Sequence, residues 1–225
     1  MKKIHLLLIL SALLALTSCS DKPLSQANDK NANLKQGDEI PMNEEKKVER
    51  EKTLEKKYEA TALSESLFLT DNQATGPLVR INYPEDNKVE IFSHIEYSYD
   101  GTITRSMPGQ INAQEISVKS TRPKSIKINV KLASDIKSLL GQEAILLDVR
   151  TKEEYREGHL SNSINMDLQG LADNLDKLPN KDRLIVVYCR SGNRSNQAQM
   201  ILEKNGYFVL DAGGVIGFEN LLVKN

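Results

Sequence analysis

The spacing of hydrophobic residues divides the chain into regions of different structure. Between residues 62 and 124, apolar and polar residues alternate over short segments, which is typical of half-buried β-strands. Between residues 125 and 225, short apolar runs alternate with segments of helical spacing, which is typical of a parallel sheet with helices on both faces. The sequence therefore predicts a small antiparallel β module followed by an α/β domain.

The β module is built around one long alternating segment. From Val89 to Tyr99, every second residue lies on one face of a predicted strand. Asp100-Gly101 then predicts a type I′ turn, with Thr102–Arg105 as the returning strand. Further strands are predicted at Leu78–Tyr83 and Glu115–Val118. The module contains no candidate nucleophile or anion-binding loop, and the sequence leaves its role open.

The α/β domain contains predicted strands separated by helical segments. Ser134 is the predicted N-cap of the first helix, and Gly141 is its predicted end. Thr151 and Glu154 form a capping-box signature at the start of the next helical turn. Leucines at helical spacing between residues 168 and 178 predict a further helix. The strands are predicted at Ser125–Val130, Ala144–Val149, Leu184–Tyr188 and Tyr207–Leu210.

Residues 1–18 have the layout of an export signal. Lys2 and Lys3 precede an apolar run from Ile4 to Leu16, and small residues and a cysteine follow. The alternative is a membrane-spanning helix, but this run is shorter than the roughly 20 residues that a bilayer requires. Leu16-Thr17-Ser18-Cys19 resembles the lipobox of bacterial lipoproteins. The resemblance implies that Cys19 receives diacylglycerol and becomes the new N-terminus.

Residues 19–61 are rich in charged and amide side chains and poor in apolar ones. Such a composition cannot bury enough surface to offset the entropy of ordering. We interpret this segment as a charged tether that is helical in part, because residues 43–59 carry charges one helical turn apart. With a lipidated Cys19, the protein is expected in the bacterial cell envelope, anchored on the outer face of a membrane and either periplasmic or surface-exposed.

The charge balance and the cysteine content limit the possible functions further. The chain has 30 basic and 31 acidic residues, which argues against a nucleic-acid binder that relies on a basic surface. Its two cysteines, Cys19 and Cys189, could in principle form a disulfide. If Cys19 is lipidated it cannot pair, so Cys189 is expected to be a free and reactive thiol.

Cys189 lies where open α/β sheets place their ligand sites, between a predicted central strand and the helix that follows it. Gly192 lets the backbone curl, so that successive N–H groups can turn toward one point and bind an anion. The N-terminus of the helix adds a partial positive charge, and Arg190 and Arg194 add two cations. These influences favour the thiolate. Packing alone explains a buried cysteine but not the two arginines.

The α/β domain contains a set of short motifs: Ile145–Arg150, Glu153–Tyr155, Gly158–Leu160, Ser163–Met166, the loop Cys189–Ser195, and Gly213-Gly214 with Gly217-Phe218. Together they resemble the motifs of the rhodanese family, and the resemblance covers residues from about 130 to 223. Phe218 stands where the family usually has Trp, and Ser161-Asn162 replaces the common Pro-Gly. Neither departure touches the loop that carries Cys189.

The resemblance implies a sulfurtransferase that carries sulfane sulfur as a persulfide on Cys189, without a cofactor or a metal. A small anionic donor such as thiosulfate would supply the sulfur, and a thiol or cyanide would accept it. Asp148 and Arg150 match the family's Asp-x-Arg, and they could either contact the substrate or form a structural ion pair. The donor-binding residues would be Arg190, Ser191, Gly192, Asn193, Arg194 and Ser195.

Two histidines are interpreted as structural or surface residues rather than as ligands or bases. His159 belongs to the Gly158–Leu160 motif and is expected to be a structural histidine. His94 is out of phase with the apolar face of its strand, and a surface imidazole is expected there rather than a metal ligand.

Two other functions compete with sulfur transfer. Some cysteine phosphatases resemble rhodaneses, but four residues separate Cys189 from Arg194, one fewer than in those enzymes. The shorter loop suits a sulfur atom better than a tetrahedral phosphate. A non-catalytic binding module is the other alternative, and the intact Cys189 argues against it.

Overall fold

The protein is described by a computed structural model that covers Lys47, residues 56–123 and residues 125–224. The predicted signal peptide at residues 1–18, the lipidation site Cys19 and most of the tether at residues 19–61 lie outside the described residues and stay predictions. Within the described ranges, no helix is long and apolar enough to cross a membrane.

Five strands close into a barrel in the order β1-β2-β3-β5-β4. Their neighbours are antiparallel except β3 and β5, which run parallel. A five-stranded Greek-key barrel of this order is an OB-fold. The predicted antiparallel β module is therefore confirmed, with one parallel pair added. The strands are β1 (Tyr58–Ala62), β2 (Leu67–Thr70), β3 (Leu78–Asn82), β4 (Ser93–Tyr99) and β5 (Gly109–Thr121).

The barrel begins earlier than the sequence indicates. We expected the tether to continue to residue 61, but β1 starts at Tyr58 and pairs with β4 along its length. The Tyr58 ring stacks on Tyr97 with the ring centroids 5.6 Å apart. Partial burial of this aromatic ring and the pairing of β1 with both β4 and β2 outweigh the polar composition that precedes it.

The predicted hairpin after β4 is wrong. Residues 100–108 form a connection instead of a returning strand, and β5 is the strand that pairs with β4. The Asp100 carboxylate accepts the backbone N–H of Thr102 at 2.9 Å, which closes a local turn. Thr104 then folds back on Gln110, donating its N–H to the Gln110 carbonyl at 3.0 Å. The backbone groups of Thr102 and Thr104 are thereby diverted from β4.

The second region is a parallel sheet in the order β6-β11-β10-β7-β9. This arrangement confirms the predicted α/β class. A separate antiparallel pair joins β8 (His159–Leu160) to β12 (Leu222–Val223). The sheet strands are β6 (Ile126–Lys127), β7 (Ala144–Asp148), β9 (Ser163–Asn165), β10 (Leu184–Cys189) and β11 (Phe208–Gly214).

Helices cover both faces of the sheet, as the sequence predicts. Successive residues of β7 alternate between two buried clusters, one shared with α1 and the other with α3 and α4. The described part of the domain also has three 3₁₀ turns, Gly141–Glu143, Ala172–Lys177 and Glu219–Leu221. The helices are α1 (Val130–Leu140), α2 (Lys152–Glu157), α3 (Leu168–Leu171) and α4 (Asn193–Lys204).

The start of α1 corrects two predictions. Asn129 is the N-cap and accepts the backbone N–H of Leu132, so Ser134 is not the cap. The helix begins at Val130, and the strand predicted to reach that residue is only Ile126–Lys127. The earlier start adds the buried residues Val130 and Ala133 to the helical face that carries Ile136, and Ser134 as N-cap would have excluded the first two from the helix. Gly141 ends the helix as predicted.

The barrel packs on the α/β domain through the outward side of β2 and β3. Leu67 and Leu78 belong to the same buried cluster as Val130 of α1, whereas their neighbour Phe68 points into the barrel. Phe92 stacks on Phe208 with centroids 4.3 Å apart. In OB-folds the face formed by strands 2 and 3 commonly binds oligonucleotides or oligosaccharides. Here that face is covered by the protein's own second domain.

Candidate active site

The loop with Cys189 leaves the central strand of the parallel sheet. β10 lies between β11 and β7 and ends at Cys189, and α4 begins at Asn193. Gly192 adopts φ 97° and ψ −20°, a left-handed conformation that reverses the chain within three residues. The carboxyl end of a parallel strand and the N-terminus of a helix therefore meet at the cysteine, as expected.

The sulfur of Cys189 lies inside the curl of this loop. The backbone N–H of Gly192 donates to Sγ at 3.1 Å, and Cys189 is completely buried. A donor aimed at sulfur from the N-cap of a helix stabilises negative charge on that atom. The geometry can therefore hold a thiolate or the terminal sulfur of a persulfide.

The residues after β11 fix the loop from one side through its backbone. Val215 donates its N–H to the Cys189 carbonyl at 3.0 Å, and Ile216 donates to the Arg190 carbonyl at 3.2 Å. Gly214 packs so closely that a Cβ there would stand 2.6 Å from the Arg190 carbonyl oxygen. Close packing against the loop therefore explains the glycine at Gly214, whereas Gly213 adopts φ 71°, a conformation that favours glycine.

Ser195 holds the loop rather than facing a ligand. Its side chain is buried, and Oγ lies 2.9 Å from the Gly192 carbonyl oxygen and 3.3 Å from the Gly213 carbonyl oxygen, so its single proton is donated within the loop and its support. The sequence placed Ser195 among the donor-binding residues, but its hydroxyl is already used inside the protein. We therefore assign it a positioning role.

Arg194 is not the available cation that the sequence suggests. Its two terminal nitrogens bind both carboxylate oxygens of Glu154, at 2.6 and 2.8 Å. The hydrogen bond from Arg194 lowers the pKa of Glu154 to about 2, and the same contact raises the pKa of Arg194. The sequence assigns Glu154 to the Glu153–Tyr155 motif and to the capping box of α2, and the structure confirms the capping box. Its second role could not be seen from the local motif.

The other loop side chains face outward. Arg190, Ser191 and Asn193 are exposed, and within residues 56–123 and 125–224 no carboxylate forms an ion pair with Arg190. Arg190 is therefore the loop cation that a small anion can reach directly.

Asp148 and Arg150 form a buried ion pair beside the site. Arg150 binds the Asp148 carboxylate with Nε at 3.0 Å and Nη2 at 2.6 Å, and Nη2 also reaches the Gly158 carbonyl. Both side chains are almost fully buried, and their hydrogen bonds within the described ranges do not reach the Cys189 loop. Of the two roles left open by the sequence, this geometry favours the structural one.

Two aromatic contacts lie near the Asp148–Arg150 pair. Tyr188 lies beneath the Arg150 guanidinium and donates its hydroxyl to Ser163 at 3.0 Å, and burial raises its pKa. His159 is buried, stacks on Tyr155 with centroids 3.9 Å apart, and its Nδ1 lies 3.0 Å from the Tyr155 carbonyl oxygen. The environment of His159 is that of a structural histidine.

In its described residues, the barrel has no cluster of reactive side chains comparable to the Cys189 loop. His94 is partly buried between Glu59, whose carboxylate is 3.3 Å from Nε2, and Thr61, whose hydroxyl is 3.4 Å from Nδ1. In the part of the chain that is described, no group of three His, Cys, Asp or Glu side chains is placed to hold a metal ion. The Cys189 loop is thus the candidate active site.

Comparison with known proteins gives the α/β domain its family. The family described as "Rhodanese-like domain" matches residues 132–219. Thiosulfate sulfurtransferase PspE of Escherichia coli (strain K12) is 37% identical over 71 residues, which are 31% of this chain and 68% of that protein. A sulfurtransferase of Allochromatium vinosum is 35% identical over 79 residues, 34% of this chain and 73% of the relative.

A solved structure described as rhodanese with anions from E. coli is 33% identical, with a TM-score of 0.34. The alignment covers 36% of this chain and 99% of that one. The family match begins within α1 and does not include the barrel. Through its C-terminal domain, the chain belongs to the rhodanese-like family.

Proposed function

We propose that the protein is a sulfurtransferase that moves a sulfane sulfur from thiosulfate or a similar small anion to a thiol or cyanide. The observation that carries this proposal is the position of the Cys189 sulfur at the carboxyl end of β10, with the Gly192 N–H donating to it. The names of the two relatives, both sulfurtransferases, support the same reaction class.

The reaction proceeds through a covalent intermediate on Cys189. The thiolate attacks the outer sulfur of thiosulfate, a new sulfur–sulfur bond forms, and sulfite leaves with the electron pair of the bond that breaks. Cyanide or a thiolate then attacks the terminal sulfur of the persulfide, which regenerates the Cys189 thiolate. Atoms and charge balance in both steps without an external oxidant or reductant.

The surrounding residues have separate tasks in this scheme. The Gly192 N–H stabilises negative charge on the cysteine or persulfide sulfur. The exposed Arg190 attracts the anionic donor, and the outward positions of Ser191 and Asn193 allow polar contacts with it. Ser195 keeps the loop in its curled conformation. The Asp148–Arg150 pair supports the neighbouring strand end.

The experiment is a sulfur-transfer assay with thiosulfate and cyanide, followed by thiocyanate formation. Wild-type protein should give parallel lines in double-reciprocal plots, because the persulfide forms and sulfite leaves before cyanide reacts. Cys189→Ser should fall to the uncatalysed background, since a serine alkoxide is hardly available at neutral pH. Met200→Ala changes an exposed residue of α4 and should retain full activity. Wild-type rates in Cys189→Ser would overturn the proposal and favour a non-catalytic binding module.

We also propose the lipid anchor at Cys19, with the protein held on the outer face of a bacterial membrane. The lipobox-like Leu16–Cys19 supports it. One saturated chain binds membranes only weakly, so stable attachment implies the several chains of a bacterial lipoprotein. A radioactive fatty acid should label the wild type and not Cys19→Ala. Equal labelling of both would exclude this site.

A further inference from the structure

Three adjoining cavities, here named the interdomain trough, lie between the barrel and the α/β domain. The middle one has a volume of about 570 Å³ and is bordered by β1 and β2 on one side and by residues 126–129 on the other. It shares Glu59 and Asp71 with a cavity of about 740 Å³ at the barrel end. It shares Lys127 with a cavity of about 580 Å³ that the Cys189 loop also lines.

The shape of the interdomain trough suits a chain molecule. Pockets for small molecules enclose most of the ligand surface, whereas the middle cavity continues into a neighbour at each end. Its barrel residues and Lys127 also precede residue 132, where the match to the rhodanese-like family begins. The interdomain trough therefore arises from the combination of the two regions and not from the rhodanese-like domain alone.

A free sheet edge borders the interdomain trough. β6 is the outermost strand on its side of the parallel sheet, and Ile128 donates its N–H to the Asp211 carbonyl of β11 at 2.8 Å. Because successive residues of a strand direct their backbone groups to opposite edges, the N–H and C=O of Lys127 point away from β11. Among the described residues, no group forms a hydrogen bond with them. Such an edge is a template for an added strand.

The two walls of the interdomain trough carry opposite charges. Asp71 follows β2 on the barrel wall, Lys127 lies on the α/β wall, and both are exposed without an ion pair among the described residues. An oligosaccharide would give neither charge a counter-charge, and an oligonucleotide would be repelled by Asp71. A polypeptide can supply both signs together with a backbone for the sheet edge.

We propose that the interdomain trough binds an extended segment of a partner polypeptide, which adds to β6 at Lys127 and carries a basic residue opposite Asp71 and an acidic residue opposite the Lys127 side chain. The interdomain trough ends at the Cys189 loop, so the bound partner lies beside the candidate active site. This inference goes beyond sulfur transfer and does not depend on it.

The first experiment measures peptide binding to the full chain by fluorescence anisotropy. The probes are labelled peptides of about ten residues, roughly 33 Å when extended, built on Ser and Thr. Each contains one Arg and one Asp, whose order and separation vary across the set. In the peptide that binds best, replacing Arg by Glu should weaken binding about fivefold, because an attractive pair with Asp71 becomes a repulsive one.

Charge reversal in the protein assigns the contact to Asp71. In Asp71→Lys the Glu peptide should bind better than the Arg peptide. Asp86→Lys makes the same change at an exposed barrel residue outside the interdomain trough and should keep the wild-type preference. Lys127→Glu should likewise reverse the preference for Asp over Lys at the acidic position of the peptide. Its matched control is the exposed Lys88, changed to Glu.

Backbone methylation of the same peptide tests strand addition. Methylation of the amide that faces β6 removes one hydrogen bond and should weaken binding about fivefold, whereas methylation of the next amide should have little effect. Unchanged charge preferences in Asp71→Lys and Lys127→Glu would overturn the inference, as would the absence of binding by every peptide at about 1 mM. The peptides contain no cysteine, so these results stand whether or not the protein transfers sulfur.

Discussion

The barrel and the α/β domain use buried polar groups in opposite ways. Inside the barrel, the Tyr97 hydroxyl lies 3.1 Å from Thr70 Oγ1, and the Asn72 amide donates to the hydroxyls of Tyr97 and Tyr99 at 3.4 and 3.3 Å. These groups satisfy one another, and burial raises the pKa of both tyrosines so that they stay neutral. At Cys189, a backbone donor points instead at a nucleophile.

Surface availability separates the two regions further. Arg190 is exposed and has no ion pair among the described residues. In the barrel, by contrast, the outward face of β2 and β3 is buried against α1. The difference shows that a polar group can bind a substrate only where it keeps free hydrogen-bonding or ion-pairing capacity toward solvent. For small substrates the barrel contributes only buried surface, and its expected effect is on stability. The following changes test that division.

The largest stability effect is expected for Phe92→Ala. Phe92 is 2% exposed and stacks on Phe208 across the interface between the two regions. Its removal should lower the free energy of unfolding by about 3–5 kcal/mol because a large apolar contact is lost and a cavity remains. Urea unfolding measures this loss. The exposed neighbour Ile91, changed to Ala, should cost no more than about 0.5 kcal/mol.

The same variant tests whether the barrel reaches the chemistry. At a temperature where Phe92→Ala stays folded, sulfur transfer per folded molecule should remain within about twofold of wild type, which is under 0.5 kcal/mol of barrier. A stability loss below about 1 kcal/mol would contradict a shared core. A large loss of turnover at full folding would show that the barrel shapes the active site.

Gly214→Ala is expected to act in the opposite way, on activity more than on stability. The added Cβ would stand 2.6 Å from the Arg190 carbonyl oxygen and 2.7 Å from Ser191 Cα, so the loop must move. A displacement of about 1 Å should lower kcat/KM for thiosulfate about 100-fold, or about 2.7 kcal/mol of barrier. Gly170→Ala is the control, because its Cβ would meet only Asn174 Nδ2 at 3.4 Å. Full activity in Gly214→Ala would mean that β11 does not fix the loop.

The smallest expected effect is the pH dependence of the Glu154–Arg194 pair. The pKa of Glu154 is about 2 in the folded protein, below its ordinary value of 4.5. Its contribution to stability is therefore complete above pH 4.5 and is lost as the pH falls toward 2. Because the pair is partly exposed, water screens it, and we expect about 1 kcal/mol or less.

Urea unfolding of wild type and Glu154→Gln checks this sign. The difference in unfolding free energy should be largest near pH 6 and should shrink as the pH approaches 3. A difference that is independent of pH would show that the charge of Glu154 contributes nothing to stability. A difference that grows in acid would show that ionised Glu154 destabilises the folded protein.

Features encoded by neighbouring residues could be predicted from the sequence. The position of Cys189 after an apolar strand, the turn at Gly192 and the capping box of Thr151 and Glu154 each depend on a few consecutive residues, and the structure contains all three. The order of strands and helices in the α/β domain follows in the same way from local apolar periodicity.

Features that depend on distant residues could not be predicted. Glu154 and Arg194 lie 40 residues apart, and each already had a local explanation, so nothing in the pattern indicated their pairing. The Asp100-Gly101 turn favoured a hairpin, but Tyr99 pairs with Ala113 because β5 offers a longer ladder. One signal was present for the interface: Leu67-Phe68-Leu69 is apolar on both sides of a strand, which indicates burial on both faces.

If sulfur passes through Cys189, the persulfide on this residue can be detected by mass spectrometry. The full-length protein is incubated with thiosulfate, digested without reductant, and the peptide that contains Cys189 is weighed before and after cyanide treatment. The persulfide account predicts one added sulfur atom on this peptide, its loss to cyanide as thiocyanate, and no addition in Cys189→Ser. Active wild-type protein whose Cys189 peptide never gains sulfur would contradict the account.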